Sequence, residues 1–195
     1  MNAFALVAAA LSVLRLILFV ALHVMRSDYN IVEHAVSDYA VGRTSKVSAY
    51  MTWYTAGVWL TLLLALLVGP APQPSTSTIA QLVALVVIFV VLPFLPTDLE
   101  GQRRTATGTL HYVAATAWFA LSYSLTGNFS RMLADAGTAT IALTALRWIA
   151  LVSLVALCIG LIPALRKRLF GIAERIFLLA ITVFYLLAAV LLMLP

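Results

Sequence analysis

Long apolar runs separated by short polar stretches set the pattern of this chain. Runs fit to cross a bilayer extend roughly over residues 3–25, 47–68, 79–95, 109–126, 140–165 and 176–194, each close to the about 20 residues that span the hydrocarbon. The pattern predicts an all-α fold: a polytopic six-transmembrane-helix bundle, a single transmembrane domain over 1–195 with both termini on one side. The first run reads as a retained span. It lacks a basic leading segment, carries Arg15 inside its apolar stretch and has no small-x-small cleavage site before Arg26. The fourth is the weakest, because Thr109, His111, Thr116, Ser122 and Ser124 dilute it, yet without it a long structureless segment would remain.

Composition reinforces the class: 64% of residues are hydrophobic, 10% are charged and the mean hydropathy is +1.07, outside the balance of a soluble domain. The excess of basic residues, 12 Lys and Arg against 7 Asp and Glu, records topology in a membrane protein and does not imply nucleic acid. Nine of those cations (Arg26, Arg43, Lys46, Arg103, Arg104, Arg166, Lys167, Arg168 and Arg175) fall at the first, third and fifth connections, against Arg131 alone on the opposite side. Those connections are therefore expected in the cytoplasm. Both termini and the linker Pro70 to Thr78 are expected on the other face of the cytoplasmic (inner) membrane. Cys158 is the single cysteine, so no internal disulfide is possible.

The same topology gathers six of the seven acids, Asp28, Glu33, Asp38, Asp98, Glu100 and Glu174, at the cytoplasmic face beside His34 and His111. Acids contribute little to orientation, so their clustering has another cause, either pairing with cations or a site. In the first loop, SDYNIVEHAVSDYAVGR, apolar positions at 31, 32, 35, 36, 39 and 40 alternate with polar ones at helical spacing, predicting a short interfacial helix ended by Gly42. One turn of such a helix sets His34, Ser37 and Asp38 side by side. That is a poor nucleophile relay, but His34 and Asp38 have the spacing of two metal ligands in need of partners. The third loop, FLPTDLEGQRRTATGTLHY, offers them. Pro93 and Pro96 end the third span, Gly101 and Gly108 permit tight turns, and Asp98 and His111 flank the amino end of the fourth, where Arg103 and Arg104 would welcome a lipid headgroup or another anion.

Two arginines fall inside spans. Arg147 is close enough to the outer end to snorkel. Arg15 is near mid-span, where a charge costs about 3 kcal/mol on insertion scales, and is expected to turn inward toward Asp38 or Asp98. In RKRLFGIAERIF, the triplet Arg166, Lys167 and Arg168 reads as a headgroup-contacting signal, whereas Glu174 and Arg175 lie deeper and are expected to pair with Arg103 or Asp98.

Three ordered motifs, YNIVEHAVSDYAVG, FLPTDLEGQRRTATGTLH and GIAERIF, resemble the membrane family known as domain of unknown function 998, from about Leu11 to about Leu192. The family's Ser-Asp pair corresponds to Ser37 and Asp38, its Pro-x-Asp to Pro96 and Asp98, its Gly-x-x-His to Gly108 and His111, and its Glu-Arg to Glu174 and Arg175. Where that pattern has Asn-Pro this chain has Asn30-Ile31. The resemblance implies a six-helix bundle and brings no activity with it. A fainter similarity runs to membrane hydrolases that hold zinc, but His23, His34 and His111 show no paired spacing such as H-x-x-x-H.

Two functional readings emerge, with a structural subunit of a membrane complex as a third. One is a protein that binds, transports or senses a small polar or lipid ligand in a cytoplasm-facing pocket of Ser37, Asp38, Asp98, His111, Glu174, Arg175 and Arg15. Membrane lipids would meet Arg103, Arg104, Arg166, Lys167 and Arg168. The other is a metal-dependent lipid hydrolase, with His34, Asp38, Asp98 and His111 as zinc ligands and Ser37 or a metal-bound water supplying the chemistry.

Overall fold

The computed structural model describes residues 1–27, 29–69, 73–99 and 103–193. Asp28, the first part of the Pro70 to Thr78 linker, Glu100, Gly101 and the end of the sixth expected span lie outside the described residues. The described residues form six α-helices: α1 (Ala3–Val24), α2 (Ser45–Val68), α3 (Thr76–Val91), α4 (Ala106–Met132), α5 (Ala139–Ile159) and α6 (Pro163–Met193). Each packs on the next in sequence, and α6 returns against α1 to close the bundle while also touching α2 and α4.

Five of the helices, counting the 3-10 turns that extend α2 and α3, are long and apolar enough to cross a membrane. The exception is α4, whose 27 residues reach about 40 Å at 1.5 Å per residue. It has the length of a span without the average hydropathy. Several of its polar residues, His111, Ser122 and Thr126, are buried, so its lipid-facing side is less polar than its sequence.

The inward stripes explain the close packing. On α1 the buried positions are Ala5, Ala8, Ala9, Ser12, Arg15, Phe19 and Leu22, a three-and-four spacing with small residues in its first half. Such a stripe lets neighbouring helices approach without a hydrophobic driving force of their own. On α2, Ser48, Met51, Thr55, Val58, Leu62 and Ala65 keep the same spacing. Outward positions of α1 such as Val13, Ile17, Val20 and Val24 are exposed, as lipid contact requires. The helix starts are tied down locally: Asn2 accepts from the Ala5 amide and donates across to the Ala65 carbonyl at the end of α2 (2.8 Å).

Two elements differ from the pattern-based expectation. The fifth span stops at Ile159, and α6 begins at Pro163, so Arg166, Lys167 and Arg168 ride on helix instead of a loop. Gly160 allows this sharp turn: a Cβ there would sit 3.0 Å from the Phe170 backbone. Pro163 suits the start, since its ring fixes φ and its missing amide hydrogen would have had no partner.

The short helix of the first loop is present, but as 3-10 turns over Val36–Ala40 and Gly42–Thr44. An α-helix from Ile31 onward would need the carbonyls of residues 31 and 32 for the amides of 35 and 36. Those amides are bound by carboxylates instead, Ala35 to Asp38 (3.0 Å) and Val36 to Glu174 (2.7 Å), and the Val32 carbonyl accepts from the Gly171 amide (3.0 Å). Tertiary partners override the local period. Gly42 takes a left-handed φ of 73°, which glycine adopts without strain.

Candidate functional site

The polar residues that sequence reasoning grouped into one pocket are distributed among three places. The first is where the first loop lies on α6. Glu174, 6% exposed, accepts from the Val36 amide, while Arg175 donates from Nη1 to the carbonyls of His34 (2.8 Å) and Gly171 (2.9 Å). Gly171 makes the approach possible, since a Cβ there would lie 2.5 Å from the Ile31 carbonyl oxygen, 2.7 Å from that of His34 and 2.8 Å from that of Val32. Asp38 caps its own 3-10 turn, with Ser37 half-buried beside it. Glu174 and Arg175 thus serve the first loop, and not Arg103 or Asp98 as expected.

His23, which no motif singles out, completes this cluster. Arg175 Nε donates to His23 Nε2 (2.8 Å), and His23 Nδ1 lies 2.7 Å from the Phe19 carbonyl. A neutral ring with its proton on Nδ1 satisfies both. The available signal was positional: His23 lies eight residues after Arg15, about two helical turns along the same side of α1.

The second place is the corner between α3 and α4. Asp98 accepts from the Thr105 amide and the Thr105 hydroxyl, both at 2.8 Å, and Thr105 in turn caps α4 at the Gly108 amide. The Thr105 amide first, then its hydroxyl, hold the Asp98 carboxyl below the usual carboxylate range. Gly108 leaves room for this arrangement, because a Cβ there would overlap the Asp98 carboxylate and displace it. His111 Nδ1 sits 2.7 Å from the Leu95 carbonyl, and Tyr112 donates to the Asp98 carbonyl. Arg103 and Arg104 are exposed in the same connection; on α6, Lys167 and Arg168 are exposed, whereas Arg166 is half-buried with its guanidinium over the Phe170 ring.

The third place is the bundle interior. Arg15, 5% exposed, donates from Nε to the Thr55 hydroxyl (2.9 Å) and from Nη1 to the Thr182 hydroxyl. Neither Asp38 nor Asp98 is its partner, which corrects the expectation from sequence. Arg15 borders a cavity of about 20 Å³, measured as the space open to the centre of a water-sized sphere, whose other walls include Ser12, Trp59 and Tyr185. Thr55, Thr182 and Trp59 were missed in the sequence. The clue lay in spacing, since a Thr and a Trp four residues apart share the inward stripe of α2.

The proposed zinc set does not converge. His34 Nδ1 accepts from the Asn30 amide (3.0 Å), Asp38 belongs to the first loop, and Asp98 and His111 belong to the α4 corner. Among the described residues no three His, Cys, Asp or Glu side chains are grouped to hold a metal ion.

Membrane-length apolar helices closed around a buried guanidinium make this a polytopic helical membrane protein. The chain belongs to the DUF998 family, described as a protein of unknown function, whose family model matches residues 6–191. No curated protein and no solved structure matches it.

Proposed function

We propose that this protein binds a small polar ligand inside its membrane domain, at the cavity beside Arg15, and that the loop-end residues act as struts for that bundle. One observation carries the reading. A guanidinium buried to 5% exposure has, among the described residues, only neutral hydroxyls as hydrogen-bond partners and borders a small cavity. Buried charge is costly unless compensated, and an ionisable side chain within a span marks a functional site. The pocket is mostly apolar with a few polar groups, which is the usual make-up of a ligand site.

The orientation that goes with this reading puts the first and third loops and the basic start of α6 in the cytoplasm, in the inner membrane. The imbalance of nine cations against Arg131 supports it. A cysteine placed at position 103 should then resist impermeant thiol reagents added from outside.

The binding reading is tested by thermal unfolding of the detergent-purified protein with a panel of small polar solutes, alongside Arg15→Met. Stabilisation of the parent that the variant lacks supports a ligand seat. If no solute distinguishes the two proteins, the reading is wrong.

A further inference from the structure

If the cavity beside Arg15 is a ligand seat, as proposed, the hydrogen bonds around it narrow the ligand's chemistry. Thr55 donates its hydroxyl hydrogen to the Met51 carbonyl (2.7 Å), Thr182 to Leu178 (2.6 Å), Ser12 to Ala8 (2.8 Å) and Tyr185 to Ser122 (2.7 Å). Every hydroxyl in the wall has committed its hydrogen to backbone. A guanidinium has five N–H groups, and Arg15 uses two of them on the threonines. Trp59, 2% exposed and packed edge-on against Tyr185 with ring centroids 4.6 Å apart, has an indole Nε1 with no hydrogen-bond partner among the described residues. The uncommitted polar hydrogens of the wall therefore belong to Arg15 and to the indoles of Trp59 and Trp118, and that of Trp59 is buried.

We propose that the Arg15–Trp59 cavity is a site for one small monovalent anion of halide or formate size. Charge and donor count agree on this. The site carries a buried positive charge and uncommitted donors of two kinds, which an anion satisfies by accepting from both. The cavity exceeds the roughly 10–15 Å³ that a single water needs by the same measure, which suits one small ion and excludes a bulky one. A cation meets repulsion from Arg15.

The test uses the full chain in detergent, comparing sodium chloride, sodium formate and sodium gluconate at equal ionic strength, with formamide as the uncharged counterpart of formate. Chloride and formate should raise the unfolding temperature above that in gluconate, by about 3 °C when the anion is roughly tenfold over its dissociation constant. Formamide should not. Arg15→Met should abolish the shift, and Trp59→Phe should cut it by half or more. The proposal is overturned if chloride and formate match gluconate, or if the shift survives in Arg15→Met. Should formamide stabilise as well as formate, with both effects needing Arg15, the cavity binds small polar molecules without regard to charge: the anion proposal falls while the binding reading stands.

Discussion

Replacing Gly171 with Ala tests whether the contact between α6 and the first loop is as close as the structure places it. In an open helix the change would help, since Ala is favoured over Gly by up to about 1 kcal/mol. Here the new methyl would meet the carbonyl oxygens of Ile31, His34 and Val32 at 2.5 to 2.8 Å. These are backbone atoms, so no side chain can swing aside. Overpacking of this kind costs about 1–3 kcal/mol. Pushing the loop away also strains the bonds from the Gly171 amide to Val32, from Arg175 to His34 and from the Val36 amide to Glu174, and a buried group left unpaired costs about 1–3 kcal/mol more. After subtracting the helix preference, the expected net loss is about 2 kcal/mol or somewhat above. For a chain of this size that lowers the unfolding temperature by about 4–8 °C, measurable by differential scanning fluorimetry in detergent. An unchanged or raised temperature would refute the packing argument, because the two contributions differ in sign.

Further outcomes are expected from the same geometry. Glu174→Gln keeps an acceptor for the Val36 amide and should leave stability nearly unchanged, whereas Glu174→Ala orphans that amide and should cost about 1–3 kcal/mol by the same thermal assay. The folded Asp98 carboxyl lies below its unfolded value. Its stabilisation is therefore complete above the unfolded carboxylate range and is lost as pH falls through the folded value. Asp98→Asn should flatten the decline in unfolding temperature between about pH 5 and about pH 3, and parallel curves for parent and variant would count against the Thr105 contacts. Arg15→Met, measured in gluconate, should be as stable as the parent or more so. The change removes a buried charge while Thr55 and Thr182 keep their backbone acceptors, so a large loss would mean that the guanidinium is a structural pin.

Five of the helices were legible because hydrophobic run length is a direct physical requirement of the bilayer, and α4 because a long structureless segment would otherwise remain. The elements that escaped were set by distant partners. The first loop carries a helical period, but Glu174 and Gly171, more than a hundred residues away, claim its amide and carbonyl groups and leave only 3-10 turns. The α5–α6 boundary escaped because apolar residues run on through Ile162 while Gly160 and Pro163 turn the chain. For the candidate site, spacing brought out the charged residues, which stand out against an apolar background. Thr55, Thr182 and Trp59 look like ordinary span residues, and only the crossing of α1, α2 and α6 brings them to Arg15.

The place of α6 in the order of synthesis has a consequence for assembly in the membrane. Of the six helices it leaves the ribosome last, yet it supplies Thr182 and Tyr185 to the cavity and Gly171, Glu174 and Arg175 to the first loop. Until it inserts, Arg15 has Thr55 alone, and the amide of Val36 lacks its acceptor. The earlier helices therefore wait in the bilayer with a charge half-solvated and a loop unpinned. The bundle therefore closes around Arg15 and pins its first loop only once α6 is in place.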